Sequence, residues 1–317
     1  MGQQAVKIGS LCTGYGGLDM AVEAYFNAEM VWCAEIDKYA SQLIEQRFNK
    51  PNLGDIKQIK WDEVEPVDIL TAGYPCQPFS TAGQRKGTQD ERHIWPYIIE
   101  AISRIRPSIV VLENVRGHLS LGFKEVLSDL AKNGYDARWQ IVRASDVGAP
   151  HQRARLFIIA YPKGGWSRVK SIRISQSNTR AGCNSEFVAN SSGKGLQGTW
   201  YKTNDFTNGI VANSNSDACS QSRRANREIP TESGRFQPRQ NTRQTRSEYR
   251  CSCEMVEQEV PATLVEGKLN AKFVEYMMGL PGGWVTDLNF SRTQQLKMLG
   301  NGVVPQQAYY ALQLSNE

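Results

Sequence analysis

Between residues 6 and 160, short apolar runs alternate with stretches whose apolar residues recur at helical spacing. This alternation restricts the chain to an α/β fold with a mostly parallel sheet, because parallel strands need long, usually helical, crossovers between them. The strand-like runs lie at 6–11, 30–34, 67–72, 108–112, 137–142 and 156–160, and the helical stretches at 18–28, 37–48, 94–105 and 123–132. Further helices are predicted near 271–278 and from Pro305 to about Leu314. Parallel strands bring their carboxyl ends to one edge of a sheet, so the segments leaving that edge are where chemistry is expected.

The first such segment is Cys12-Thr13-Gly14-Tyr15-Gly16-Gly17-Leu18. Glycines between a strand and a helix let the backbone approach a ligand at the helix N-terminus. A dinucleotide fingerprint would place a third glycine at position 19, where Asp19 stands instead. The second strand closes on Glu35-Ile36-Asp37, with Glu35 placed to accept hydrogen bonds from a ribose diol. Together these segments predict a nucleoside-containing cofactor. Gly54-Asp55-Ile56, taken alone, reads as an ordinary turn.

The third strand runs into Gly73-Tyr74-Pro75-Cys76-Gln77-Pro78-Phe79-Ser80, where two prolines deny the chain a regular continuation. A stiff, partly exposed turn can hold a thiolate ready for attack, and it can equally hold a buried structural cysteine. Residues 81–92 are polar, carry Gly83 and Gly87, and read as a mobile loop. The fourth strand ends in Glu113-Asn114-Val115, and His151-Gln152-Arg153-Ala154-Arg155 leads into the last one.

Beyond Tyr161 the composition turns polar. Between Lys163 and Arg250 there are 15 Lys and Arg against 6 Asp and Glu, on a chain whose net charge is +5. A basic segment on a mildly acidic body favours a nucleic-acid partner, although a solvated linker would look similar. Short echoes at 188–191 and 211–214 are too brief to define a repeat. The expected organisation is a catalytic and cofactor-binding domain at 1–162, a small irregular domain at 163–257, and a segment at 258–317 returning to the first domain. No apolar run approaches the ~20 residues that span a bilayer, and residues 1–7 lack a secretory pattern, so a soluble cytoplasmic protein is expected. The seven cysteines are scattered without metal-ligand spacing, so neither a disulfide framework nor a metal site is expected.

Taken together, Gly14-x-Gly16-Gly17, Glu35, Gly54-Asp55-Ile56, Pro75-Cys76-Gln77, Glu113-Asn114-Val115, Arg153-x-Arg155 and Gly300-Asn301-Gly302-Val303 resemble the C5 cytosine DNA methyltransferase family. The blocks stand in the family's order over nearly the whole chain, the basic middle excepted. The resemblance implies a Rossmann-like methyltransferase domain that uses S-adenosylmethionine, and a small target-recognition domain. It implies that Cys76 adds to C6 of a flipped cytosine in a short specific duplex sequence, that Glu113 bonds N3, that Arg155 holds O2, and that Arg153 orients the loop. The cofactor site it implies comprises Leu11, Cys12, Thr13, Gly14, Gly16, Gly17, Leu18, Glu35, Ile36, Asp55, Ile56, Gly73, Pro75, Asn301 and Val303. Trp95 joins that set as a compensation for Ile36, which stands where an aromatic can cover adenine, or else belongs to the core. Gln77, Ser80, Arg92, Arg223, Arg224 and Arg227 are the implied DNA contacts.

A monomer acting on duplex DNA is expected, and a cognate restriction endonuclease stays open as a partner. Three other readings compete: an RNA-directed member of the same family, a non-catalytic DNA-binding scaffold, and a thiol hydrolase. The last lacks an obvious general base, since the histidines are only His93, His118 and His151.

Overall fold

The computed structural model describes residues 5–75, 94–166 and 260–315, all within one compact unit. Cys76, Gln77, Ser80, Arg92, Arg223, Arg224 and Arg227, the loop at 81–92 and almost all of 163–257 lie outside the described residues.

A six-stranded sheet carries the fold, in the order β2-β1-β3-β4-β6-β5. Its strands are β1 (Val6–Leu11), β2 (Ala28–Ala34), β3 (Ile69–Gly73), β4 (Ile109–Val115), β5 (Tyr135–Val142) and β6 (Arg155–Pro162). β1 to β4 are mutually parallel, as the alternation predicts, while β6 runs antiparallel to both β4 and β5. Strand direction is not encoded in an apolar run, and the segment between β5 and β6 holds only a short helical turn rather than a crossover helix.

The register brings the functional positions level. Leu11 pairs with Ala34 and Ala72, and Gly73 pairs with Glu113. Because β6 is reversed, its first residue, Arg155, lies opposite Val115 at that same edge. A parallel β6 would have carried Arg155 to the far side of the sheet.

Both faces of the sheet are covered, and the alternation of side chains along each strand divides the core. Ile109 and Val111 face one cluster with α1 (Gly17–Phe26), whereas Val110 and Leu112 face another with α3 (Trp95–Ile105) and α4 (Phe123–Lys132). On α3, Ile98 and Ile102 are fully buried, four residues apart on one helical face. α2 (Lys38–Arg47) starts at Asp37, whose carboxylate accepts from the Tyr39 and Ala40 N–H groups.

The C-terminal part adds a two-residue hairpin, β7 (Leu264–Val265) with β8 (Lys268–Leu269), then α5 (Ala271–Met277), α6 (Arg292–Asn301) and α7 (Pro305–Leu314). Pro305 opens α7 as its fixed φ favours, and Tyr309 packs edge-on against Tyr25 of α1 at 5.4 Å. A third cluster joins Tyr15 of the first glycine turn to Leu280, Leu299 and Val304. Gly302 fits there because a Cβ on it would lie inside the Tyr15 ring. The Tyr15 hydroxyl then donates to Val303 O at 2.7 Å. Among the described residues no helix is long and apolar enough to cross a membrane.

Candidate active site

A cleft of about 710 Å³ opens along the carboxyl edge of β1 to β4, a size suited to a small-molecule ligand. One end is lined by Glu35, Ile36, Asp37, Asp55 and Ile56, and the other by Gly73, Tyr74, Pro75, Glu113, Asn114 and Arg155. Gln294, Lys297 and Met298 of α6 and the turn Gly300–Asn301–Gly302 also contribute.

Glu35 is held from two sides. Its Oε2 accepts from Gly14 N–H and its Oε1 from Asp37 N–H, both at 2.8 Å, and burial raises its pKa. Asn52 fixes the backbone beneath it, accepting from Glu35 N–H and donating to Glu35 O, each at 3.0 Å. The carboxylate is therefore fixed in orientation while its remaining lone pairs stay available. Asp55 caps a short helical turn by accepting from Lys57 N–H at 3.0 Å. Ile36 is 74% exposed beside it, an unusual state for a large apolar side chain in a cleft. Lys297 reaches from α6 to Asp37 at 3.3 Å.

At the other end Glu113 is only 7% exposed and its Oε1 accepts from Arg155 Nε at 3.0 Å. Burial dominates over the two nearby arginines, Arg155 and Arg153, and brings its pKa up to about 7. Asn114 donates through Nδ2 to Tyr74 O at 3.3 Å, and the Tyr74 hydroxyl pairs with His118 Nε2 at 3.0 Å. His118 is held near pKa 4 by burial and is neutral in ordinary buffers. The two ends of the cleft meet above Gly73. A point where a Cβ of Gly73 would stand is 3.8 Å from each of Cys12 O, Glu113 Oε2 and Val303 Cγ2.

Of the cofactor residues expected from the sequence, Cys12, Gly14, Glu35, Ile36, Asp55, Ile56, Gly73, Pro75 and Asn301 line the cleft. Leu11, Thr13, Gly16, Gly17, Leu18 and Val303 stand behind it, in the turn and core that support it. Trp95 is also displaced from the cleft. It is 4% exposed, packs against Tyr74 with ring centroids 5.8 Å apart, and donates to Asp129 at 3.2 Å, as the core alternative expected. Arg153 lies behind the cleft wall rather than in it. Sequence reasoning missed the α6 side chains. The capping box Ser291-x-x-Gln294 that starts this helix was the available signal.

The cleft fits a nucleoside-containing cofactor. A Cβ built on Gly14, at φ 58°, would meet nothing within 4 Å among the described residues beyond its chain neighbours, which leaves the backbone beside Glu35 open to an approaching ligand there. A fixed carboxylate, an exposed apolar cover and an accessible turn match a ribose, a flat base and a polar tail. Among the described residues no cluster of His, Cys, Asp and Glu could hold a metal ion.

The family model for C-5 cytosine-specific DNA methylases matches residues 6–313. The chain belongs to this family. Among curated relatives, the type II methyltransferase M.Bsp6I of Bacillus sp. (strain RFL6) is 36% identical over 164 residues, covering 49% of this chain and 52% of the relative. M.HhaI of Haemophilus parahaemolyticus is 35% identical over 157 residues, covering 48% and 47%. The chain thus spans about half the length of the curated relatives it matches. Among solved structures, the S. pombe Dnmt2 methyltransferase aligns over 98% of both chains with a TM-score of 0.59 at 18% identity. A putative DNA modification methyltransferase encoded within an E. coli prophage aligns over 99% of this chain and 100% of its own, with a TM-score of 0.57 at 19% identity. These two likenesses bear on the fold alone, the α/β fold of methyltransferases with its mostly parallel sheet.

Proposed function

We propose that this protein is a DNA (cytosine-5-)-methyltransferase that modifies a cytosine flipped out of a short duplex sequence. The observation that carries this reading is the continuity of the cleft. The Glu35–Asp55 end, suited to a nucleoside, and the Glu113–Arg155 end, suited to a polar heterocycle, line one cleft, with the strands of Glu35 and Glu113 three spacings apart, roughly 14 Å.

Glu35 would hold a ribose diol, Asp55 an adenine amino group, Ile36 an adenine face, and the turn around Gly14 the amino-acid tail. Bound S-adenosylmethionine supplies an electrophilic methyl group, which a nucleophilic carbon can take up. Cytosine C5 is too weak a nucleophile unaided, so the chain's own groups must activate the ring. Cys76, next after Pro75 in the sequence, adds as a thiolate to C6, and the π pair of the C5=C6 bond shifts onto C5 and through C4 to N3, so that C5 becomes an enamine carbon able to attack a methyl group. Protonated Glu113 donates at N3, where negative charge collects, and Arg155 holds O2 while staying paired to Glu113. Once C5 carries the methyl group, its proton passes to solvent water, the N3 proton returns to Glu113, and departure of the Cys76 thiolate restores the aromatic ring. A pKa near 7 suits Glu113 to this work, because it holds a proton in a good fraction of molecules at neutral pH.

The target strand must surrender its base, which costs roughly a few kcal/mol in stacking and pairing. The basic stretch at 163–250 is the source of the compensating phosphate contacts. Methyl transfer from labelled cofactor to duplex DNA, with base-resolution mapping of 5-methylcytosine, tests the reading.

A further inference from the structure

Arg153 combines features that are each costly. Its backbone adopts φ 33°, a region that residues bearing a Cβ rarely visit. The buried Nε has no hydrogen-bond partner among the described residues, although burying an unsatisfied donor is unfavourable. Such a conformation persists only where the surroundings fix it. Here Gln307, fully buried on α7, donates through Nε2 to Arg153 O at 2.7 Å and to Val142 O at 2.6 Å.

From this anchored backbone the guanidinium points across to the C-terminal part of the fold. Its Nη2 donates to Gly300 O at 2.8 Å and to Gly302 O at 2.6 Å, the two carbonyls that bracket Asn301. All three residues of that turn line the cleft. Two residues along the chain in the other direction, Arg155 opens β6 and pairs with Glu113. Arg153 therefore ties the Asn301 turn, which its guanidinium holds, to the backbone that leads two residues later into β6 and Arg155.

We infer that Arg153 is a positioning residue that couples the two ends of the cleft, so that a ligand bearing on the Asn301 turn also sets Arg155 against Glu113 for the flipped base. The inference rests on the function proposed above. Coupling of this kind is reciprocal: the cofactor tightens DNA binding by the same factor by which DNA tightens cofactor binding. It would favour base capture when a methyl donor is present.

The test measures dissociation constants of the full chain for S-adenosylhomocysteine and for a duplex carrying the mapped target sequence, each alone and in the presence of the other. Wild type should show mutual tightening of roughly tenfold, within the usual range for linked sites. Arg153→Met should leave each ligand binding alone within about twofold, yet reduce the mutual tightening below about twofold and lower kcat more than it raises KM for the cofactor. Arg153→Lys keeps the charge but reaches less far, and should retain intermediate coupling; it decides the matter if the Met variant does not fold. Absence of mutual tightening in wild type, or full tightening in the Met variant (in the Lys variant, if Met does not fold), would overturn the inference. So would equal losses in binding of each ligand alone with coupling intact, which a merely structural arginine would give. Failure of wild type to methylate cytosine would overturn the functional reading itself, whereas methylation with coupling indifferent to Arg153 overturns this inference alone.

Discussion

Glu113 and Arg155 meet at 3.0 Å although one stands near the end of its strand and the other at the start of its own. The reversal of β6 makes this contact, because it turns the amino end of one strand toward the carboxyl ends of its neighbours. A buried carboxylate and a guanidinium are thereby held at one mouth of the cleft. Burial without the arginine would leave Glu113 still harder to ionise.

Replacing Glu113 with Gln should lower methyl transfer by roughly a hundredfold or more, the ordinary range for a general acid, and change cofactor affinity little. Wild-type activity should fall along an alkaline limb with an apparent pKa near 7, and the variant should lack that limb. Single-turnover rates across pH 6 to 9 check both statements. Equal losses in transfer and in cofactor binding would mean that Glu113 has another role.

The same carboxyl group sets a sign for stability. Its folded pKa is raised from 4.5 to about 7, so the protonated form favours folding. Its contribution is fully present below about pH 4.5 and is lost as pH rises through 7, on the order of 3 kcal/mol in all. Denaturant titrations should therefore show Glu113→Gln gaining on wild type between pH 5 and 8. A constant difference across that window would contradict the assignment.

Cysteine variants separate nucleophile from scaffold. Burial pushes both Cys12 and Cys33 up to about 12, so neither supplies a thiolate near neutral pH. Cys76→Ser should form no covalent complex with duplex DNA carrying 5-fluorocytosine, in which the fluorine blocks the final elimination. Cys33→Ala should still form it. Denaturing gels read the outcome, and trapping by the Cys76→Ser protein would remove Cys76 from the mechanism.

Ile36 offers apolar area without an aromatic face. Ile36→Phe should tighten S-adenosylhomocysteine binding about fivefold, and Ile36→Ala should weaken it by a similar factor, from roughly 1 kcal/mol of stacking or burial. Calorimetric titration measures both. Identical affinities in the three proteins would place the adenine elsewhere.

Gly302 and Tyr15 join the first glycine turn to the C-terminal part. Gly302→Ala forces a Cβ into the Tyr15 ring and should destabilise the protein by about 1–3 kcal/mol while weakening cofactor binding. Tyr15→Phe, which loses only the bond to Val303 O, should cost about 1 kcal/mol. Thermal unfolding with and without S-adenosylhomocysteine separates the two effects.

Much of this arrangement is legible in the residues. β1 and α4 fall on the residues that their apolar spacing predicts, since a buried strand and an amphipathic helix leave unambiguous periods. α6 leaves no such trace: only Met298 and Leu299 are buried among its ten residues, so most of the helix has no apolar face to read. The hairpin of β7 and β8 is too short for periodicity, and its signal is the Glu266-Gly267 turn with both residues at positive φ. Side-chain direction is a further gap. The motifs locate Arg153 and Trp95 next to the site but not whether they point into it, which depends on packing with Gly300, Gly302, Tyr74 and Asp129.

The most direct measurement is methyl transfer from labelled S-adenosylmethionine to mixed-sequence duplex DNA, followed by mapping of modified bases at single-base resolution. The account predicts 5-methylcytosine confined to one short sequence, and none with Cys76→Ser. Label on RNA, on another base position, or on no nucleic acid at all would contradict it.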